Sequence, residues 1–293
     1  MQTKQQIQQL LASAGVEPNR RLGQNFLIDL NLMRLLIDYA NIKDSDVVLE
    51  VGCGTGSLTE GLSERAGRVI AVEFDKTLSQ ITKERLAEKK NVEVINADIL
   101  ENKSSISPVV TDALEAAREK FAGSFLLVAN LPYGAACPVM MNLITGPVIA
   151  DGMYVTVQKE VAERMTAGAG SRLYGTLSIL LALAGDLKVI RNLKPTVFWP
   201  QPQVESAMIG FVRREKKAAR IKDMELLSEI INLFLQHRRK MLKACTKFAA
   251  GRLAEVGNWS EVFEKCSIDP TLRPEQLWPE SFLAVANMCY EQI

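Results

Sequence analysis

Short apolar runs rich in β-branched residues recur along the first two-thirds of the chain. Segments with the spacing of amphipathic helices separate these runs, namely LTEGLSERAG, KTLSQITKERLAEKK and ALEAAREKFAG. Because alternating strands and helices require crossover connections, the pattern predicts an α/β fold with a mostly parallel sheet covered on both faces. The predicted strands lie at 47–51, 69–73, 92–95, 125–129, 153–158 and 206–212.

The pattern changes near residue 214. Beyond this point the strand runs stop, and the apolar positions have helical spacing interrupted by Gly251, Pro270, Pro274 and Pro279. We therefore predict two domains, a catalytic α/β domain over residues 1–214 and a small all-helical domain over residues 215–293. Within the first domain, the stretch 99–112 is the longest predicted loop.

Composition favours an ordinary globular protein, with 47% apolar and 24% charged residues. No apolar run approaches the length that spans a bilayer, and the segment MQTKQQIQQLLASAG lacks the features of a secretory signal. Five scattered cysteines and one histidine argue against structural zinc and against a disulfide framework. We expect a cytoplasmic protein with reduced thiols, no metal and no membrane contact.

A glycine-rich turn follows the first predicted strand, which ends at Val51. The motif LEVGCGTGSLTEGL places Gly52, Gly54 and Gly56 before a helix, an arrangement that lets a ligand approach the backbone closely. Ser57 stands where a dinucleotide-binding motif requires its last glycine. The spacing alone is therefore compatible with many α/β proteins.

Two carboxylates narrow the choice of ligand. Glu73 ends the second predicted strand and Asp98 follows the third, so both are expected along the same sheet edge as the glycine turn. Glu73 can accept hydrogen bonds from two ribose hydroxyls, and Asp98 can accept one from the exocyclic amine of an adenine. Each residue also has a purely structural explanation. Glu73 would be an ordinary carboxylate at a strand end, and Asp98 would cap a helix that follows it. Together with the glycines they predict a nucleoside-containing ligand.

The motif VANLPYGAA places four candidate catalytic residues directly after the fourth predicted strand. The N6 amine of adenine is a poor nucleophile because its lone pair is delocalised into the ring. The side-chain oxygen of Asn130 and the carbonyl of Leu131 can accept its two hydrogens, while Pro132 stiffens the turn. Tyr133 offers an aromatic face to an extruded base. The motif thus predicts methyl transfer to adenine N6 without a general base.

Further motifs give the chain a family resemblance. It resembles the ribosomal RNA adenine N6-dimethyltransferases, a family that includes the KsgA-type enzymes and the Erm methylases, nearly from end to end. The resemblance implies a Rossmann-like S-adenosylmethionine methyltransferase sheet with a small helical C-terminal domain. Besides the glycine turn and Asn-Leu-Pro-Tyr, it rests on RRLGQNFLID (20–29), QKEVAERM (158–165), YGTLSILLAL (174–183) and VFWPQPQVESAMIGF (197–211).

The resemblance also implies a set of site residues. Tyr133 and Phe198 would sandwich the target base, although Phe198 and the adjacent Trp199 would equally suit an apolar core. Gln24 and Asn25 would equally suit a turn before the helix that starts near residue 31. The expected catalytic set is Asn130, Leu131, Pro132, Tyr133 and Phe198. The expected cofactor contacts are Gln24, Asn25, Leu27, Gly52, Gly54, Gly56, Glu73, Asp98 and Asn130.

In this family the expected targets are two adjacent adenines in the 3′-terminal hairpin loop of small-subunit rRNA. We accordingly expect a monomer that acts during ribosome biogenesis on an assembling 30S-type particle. Two alternatives stay open: an Erm-type enzyme that modifies large-subunit rRNA, and a non-catalytic RNA-binding assembly or transcription factor. The near-neutral charge of +1 disfavours the first, and the intact motifs disfavour the second.

Positive charge is concentrated in one segment. Residues 213–247 contain eleven lysines and arginines against four acidic residues, which is compatible with a local contact with a polyanion. On the charge count alone, a solvated and charged helix face is the favoured explanation. Within this segment the expected RNA contacts are Arg238, Arg239 and Lys240.

Overall fold

The computed structural model describes residues 1–19 and 23–293, so the first three residues of RRLGQNFLID lie outside the described part. Two compact units make up the chain. The first comprises Met1–Ala162 and Lys188–Val212, and the second comprises Glu163–Leu187 and Arg213–Ile293. The chain passes from the first unit to the second between Val212 and Arg213, close to the predicted boundary at 214. The assignment of 163–187 to the second unit differs from the predicted domains.

Strands form a central seven-stranded sheet and two small two-stranded sheets. The strands are β1 (Phe26–Leu27), β2 (Val47–Val51), β3 (Arg68–Glu73), β4 (Val92–Asn96), β5 (Leu100–Asn102), β6 (Ser105–Ile106), β7 (Phe125–Asn130), β8 (Gly152–Gln158), β9 (Gly185–Leu193), β10 (Phe198–Trp199) and β11 (Ser206–Arg213). The order in the central sheet is β4-β3-β2-β7-β8-β11-β9.

The five strands from β4 to β8 in this order are parallel, and β11 runs antiparallel to β8. Every residue of VVLEV in β2 is buried, as expected for a strand covered on both faces. The predicted α/β fold is therefore confirmed. Because parallel strands end at one edge, the segments after β2, β3, β4 and β7 lie at the same edge of the sheet.

Helices cover the sheet and form the second unit. They are α1 (Lys4–Ser13), α2 (Leu30–Ala40), α3 (Ser57–Ser63), α4 (Lys76–Arg85), α5 (Pro108–Arg118), α6 (Ala136–Thr145), α7 (Lys159–Met165), α8 (Thr176–Ala184), α9 (Glu215–Ala218), α10 (Met224–Gln236), α11 (Leu242–Cys245), α12 (Trp259–Lys265) and α13 (Pro279–Tyr290). Side chains fix several starts: Asp29 caps α2 and Asp75 caps α4 through bonds to backbone N–H groups. No helix of the described residues is long and apolar enough to cross a membrane.

The predicted loop over 99–112 is instead a β5–β6 hairpin followed by α5. Asn102 caps the hairpin turn by accepting from the backbone N–H of Ser104, and Pro108 occupies the first turn of α5. The sequence does not predict this hairpin, because its strands have only two or three residues and the stretch ENKSS is polar. Pro108 suits a first helical turn because that position needs no N–H donor.

The second unit is helical around a buried aromatic centre. Phe234 of α10 lies 6.2 to 6.3 Å, centroid to centroid, from Trp259, Phe263 and Phe282. Helix α8 packs against both α10 and α13, which explains why 163–187 belongs to this unit. The predicted all-helical character of the chain beyond 214 is confirmed.

Candidate active site

A cavity of about 330 Å³ opens at the carboxyl edge of the parallel strands. The glycine turn after β2, the end of β3, the segment after β4 and the Asn-Leu-Pro-Tyr motif after β7 all contribute to its wall. The segment 23–27 completes the lining. The fold thus brings together motifs separated by more than one hundred residues of sequence.

The glycine turn is shaped by its positive φ angles and by close neighbours. Gly52 has a φ of 76°, and a Cβ there would lie 3.0 Å from the Cγ atom of Pro132. Gly54 has a φ of 60°, and a Cβ there would lie 2.9 Å from the ring of Phe26. Any side chain at either position would therefore combine backbone strain with a steric conflict at the cavity.

Gly56 lies where the glycine turn enters α3. It does not line the cavity, and a Cβ at this position would lie 2.9 Å from Thr82 on α4. Its φ of 76° and its place as N-cap of α3 show that it turns the chain into that helix. The Cα atom of Gly56 therefore packs towards α4, and the predicted cofactor contact at this residue stays a prediction.

Glu73 lies at the end of β3 with both carboxylate oxygens held by backbone N–H groups. Gly54 donates to Oε2 at 2.8 Å and Asp75 donates to Oε1 at 2.9 Å. Burial raises the pKa of Glu73, and the two backbone hydrogen bonds oppose this shift. Each oxygen keeps a further lone pair for a ligand hydroxyl.

Polar residues on either side of Glu73 also line the cavity. Asp98 is exposed and accepts from the backbone N–H of Leu100 at 3.0 Å. No helix follows Asp98, so a helix-capping function does not apply to it. Gln24 donates to the carboxylate of Asp75 at 3.1 Å, which fixes the segment 23–27 beside the start of α4.

Asn130 is held at both ends of its side-chain amide. Nδ2 donates to the backbone carbonyl of Asn25 at 2.9 Å, and Oδ1 accepts from the hydroxyl of Thr156 on β8. Asn25 in turn donates from its own amide to the carbonyl of Gly23 at 2.9 Å. These contacts define which end of Asn130 is the oxygen, and they leave Oδ1 one further lone pair.

Tyr133 and Phe198, expected as partners around the base, lie in different surroundings. Tyr133 lines the cavity and shares a hydrogen bond of 3.0 Å with the buried hydroxyl of Ser206, and burial raises its pKa. Phe198 is only 3% exposed and pairs with Leu27 in the β1–β10 ladder. Since Phe198 packs in the apolar core, it does not line the cavity in this structure.

Three further residues at the site were not predicted from the sequence, although Glu50 stands inside the glycine motif. Glu50 lines the cavity and is 2% exposed, and burial raises its pKa to about 8. Its Oε2 atom has no hydrogen-bond partner among the described residues. Phe74 lines the rim with a ring that is 60% exposed, and Thr156 is the buried donor to Asn130. Their places in the cavity wall and beside Asn130 become apparent only in the folded structure.

The expected RNA contacts lie in the second unit and differ in environment. Arg238 forms an ion pair with Glu275 at 3.2 Å and donates to the backbone carbonyl of Arg172. Arg239 and Lys240 are exposed and form no ion pair among the described residues. Within residues 1–19 and 23–293 no group of three or more histidines, cysteines or acidic residues could hold a metal ion.

Comparisons with known proteins agree with this geometry. A family model described as ribosomal RNA adenine dimethylase matches residues 15–278. A ribosomal RNA small subunit methyltransferase A from Geobacillus sp. (strain WCH70) is 34% identical over 288 residues, covering 97% of this chain and 96% of its own. One from Caldanaerobacter subterraneus subsp. tengcongensis is 37% identical over 276 residues, covering 94% and 98%.

Solved structures show the same fold. A dimethyladenosine transferase from Plasmodium falciparum has a TM-score of 0.71 at 24% identity, covering 91% of this chain and 98% of its own. The 23S rRNA methyltransferase ErmE has a TM-score of 0.62 at 22% identity, covering 89% and 98%. The fold and the site define an S-adenosylmethionine-dependent rRNA methyltransferase with a Rossmann-like sheet. The chain belongs to the ribosomal RNA adenine dimethylase family.

Proposed function

We propose that the protein dimethylates the N6 amines of two adjacent adenines in the 3′-terminal hairpin loop of small-subunit rRNA. The observation that supports this most strongly is the doubly held amide of Asn130 at the wall of a cavity shared with the glycine turn. The curated relatives named above are small-subunit enzymes and match nearly the whole chain. The resemblance to ErmE concerns the fold, so it gives no support for a large-subunit target.

The cavity residues fit S-adenosylmethionine. We assign the ribose hydroxyls to Glu73, the adenine amine to Asp98 and one face of the adenine to Phe74. Glu50 lines the cavity and has a buried carboxyl oxygen without a hydrogen-bond partner in the described part of the chain, and we assign this carboxyl group to the cationic amino acid part. The close approach allowed by Gly52 and Gly54, together with contacts from Gln24, Asn25 and Leu27, completes the assigned cofactor set. The cofactor supplies an electrophilic methyl group on a positively charged sulfur.

We assign to Asn130 the orientation of the target amine. Its Oδ1 lone pair and the carbonyl of Leu131 accept the two N6 hydrogens, which favours a more tetrahedral nitrogen and frees its lone pair for attack. Pro132 fixes the backbone of the turn, and Tyr133 stacks on the extruded base. The attacking amine would become cationic on gaining the methyl group and would then lose a proton, so no side chain with a shifted pKa has to act as base before transfer.

We further propose an assembling small ribosomal subunit as the substrate, a monomeric enzyme and a cytoplasmic location. Arg239 and Lys240 are assigned to RNA phosphates, with Arg238 positioning the segment through Glu275. Support comes from the rRNA substrate of the family and from five cysteines that form no disulfide.

Methylation of particles that lack the two modifications tests this function. Purified protein and labelled S-adenosylmethionine are incubated with unmethylated 30S particles or with 50S particles, and the digested rRNA is analysed by mass spectrometry. We expect N6,N6-dimethyladenosine at two adjacent positions of the 30S particle and none in the 50S particle. Modification of 50S particles alone would overturn the proposal in favour of an Erm-type enzyme.

A further inference from the structure

The segment that follows α10, residues 237–248, exposes an aromatic ring among positive charges. Its surface residues are His237, Arg239, Lys240, Lys243, Lys247 and Phe248, which we call the basic–aromatic surface. The ring of Phe248 is 47% exposed and stacks on His237 with 3.9 Å between centroids and 25° between planes. The ammonium of Lys240 lies 5.5 Å from the ring centroid.

Four cations of this surface have no ion-pair partner among the described residues, whereas several other cations of the basic segment are paired. Elsewhere in the segment Arg214 and Lys217 pair with Asp186, and Lys222 pairs with Glu291. The four cations of the basic–aromatic surface form no ion pair with any described residue; they are Arg239, Lys240, Lys243 and Lys247. Four exposed cations outside ion pairs attract a polyanion, and the one carboxylate whose charge interacts with Lys243, that of Asp269, offsets only part of their field.

The backbone beneath the surface is held in place. The buried thiol of Cys245 donates to the carbonyl of His237 at 3.7 Å. The N–H groups of Leu242 and Lys243 donate to the carbonyls of Leu272 and Pro270 at 2.9 and 3.1 Å. These bonds fix the segment from two sides, so the stack of Phe248 on His237 is preorganised for a ligand.

We propose that the basic–aromatic surface binds an unpaired nucleotide of the rRNA, with its base stacked on Phe248 and the flanking phosphates on the four cations. Sites for single-stranded nucleic acid combine aromatic stacking with a basic surface in this way. A paired base inside a duplex cannot offer its face to the ring. The proposal deepens the proposed function and rests on it for RNA as the ligand.

Binding of a short oligouridylate and of a blunt RNA duplex of equal length tests the proposal. Oligouridylate offers no adenine to the catalytic cavity. Loss of one base–aromatic stack predicts that Phe248→Leu weakens oligouridylate binding by about fivefold to a hundredfold. Duplex binding should change by less than about twofold. The double variant Lys243→Ala, Lys247→Ala should lower the salt slope for oligouridylate by about 1.4.

Two variants serve as controls for these measurements. Phe248→Trp retains an aromatic face and should bind like the wild type, which separates stacking from a folding defect. Tyr290→Leu removes a ring of similar exposure, 48%, that is followed by the acidic Glu291, and should leave binding unchanged. Wild-type affinity in a folded Phe248→Leu would overturn the proposal and favour a protein partner for this surface.

The same variants separate this proposal from the proposed function. Phe248→Leu should raise the concentration of 30S particle needed for half-maximal methylation and leave the single-turnover rate at saturation unchanged. If the wild type binds oligouridylate through Phe248 and methylates no rRNA, the proposed function fails and the proposal for this surface stands. Equal half-maximal concentrations for Phe248→Leu and wild type would contradict the use of this surface on the substrate.

Discussion

At the scale of single residues, the amide of Asn130 depends on partners that lie far away in the sequence. The motif after β7 predicts that Asn130 reaches the cavity, because a strand end at this edge of a parallel sheet points there. The partners Asn25 and Thr156 lie 105 and 26 residues away. No local sequence pattern predicts these partners, since only strand pairing and the path of the segment 23–27 bring them close to Asn130.

Thr156 is a positioning residue for Asn130, and its hydroxyl can be removed without changing its shape much. Thr156→Val should lower the single-turnover rate of methyl transfer by about tenfold, equal to roughly 1.4 kcal/mol of transition-state stabilisation. Thr156→Ser keeps the hydroxyl and should keep most of the rate. Cofactor affinity, measured by calorimetry, should be the same in both variants. Equal rates for the valine and serine variants would show that the hydroxyl does not orient Asn130.

Glu50 gives the ligand-free protein a specific dependence on pH. Its pKa is about 8 when folded and 4.5 for an unperturbed glutamate, with burial as the main cause and Glu73 nearby as a further one. Between these values the unfolded chain loses the proton while the folded chain keeps it. Stability of the wild type should therefore fall as pH rises from about 4.5 to about 8.

Glu50→Gln removes this titration while keeping the shape of the protonated carboxyl. The variant should gain melting temperature relative to wild type between pH 5 and pH 8, and scanning calorimetry measures the difference. At pH 8 it should also bind S-adenosylmethionine more weakly, because it cannot ionise opposite a cation. A constant difference in melting temperature across this range would show that Glu50 is not a buried titrating group.

At the scale of elements, burial explains most of the strands that the sequence predicts, although β4 is predicted without being buried. Strands β2, β3, β7 and β8 are buried on both faces and therefore appear as continuous apolar runs. Strands β1 and β10 have two residues each and leave no periodic pattern. Strand β9 ends the sheet order, and its sequence GDLKVIRNL mixes charged with apolar positions, so it offers no continuous run.

The β1–β10 ladder determines the position of Phe198. The sequence motif alone does not predict this position. Phe198→Leu should destabilise the protein by on the order of 1–2 kcal/mol through lost packing. Its transfer rate below the melting temperature should stay within about twofold of wild type. The matched change Tyr133→Leu should cost roughly 1–3 kcal/mol of base stacking in RNA-dependent steps. A folded Phe198→Leu as impaired as Tyr133→Leu would place Phe198 on the base after all.

At the scale of the whole molecule, the chain combines a sheet with a ligand cavity and a helical unit with a basic–aromatic surface. The sequence predicts both units because their hydrophobic periodicities differ, with strand runs before residue 214 and helical spacing after it. It does not predict the return of 163–187 to the second unit. The helix TLSILLALA in this stretch is apolar on all sides, and such a pattern does not say against which neighbours the helix is buried.

The total charge of +1 does not reveal the local concentration of positive charge that bears on RNA binding. Counting charges identifies a basic segment, and only the ion pairs show which cations remain available. Arg238 belongs to a pair with Glu275, while Arg239 and Lys240 do not. The wild type should therefore bind RNA through fewer cations than the segment contains.

The proposed function requires that Asn130 orients an adenine amine for methyl transfer at this cavity. Single-turnover transfer from S-adenosylmethionine to unmethylated 30S particles, with saturating enzyme, measures it directly. Asn130→Ala should transfer methyl groups about a hundredfold more slowly, the scale for losing one preorganised polar contact in a transition state. Its affinity for the particle should stay near that of wild type, because phosphate and shape contacts dominate RNA binding. A wild-type transfer rate in a folded Asn130→Ala would contradict the mechanism.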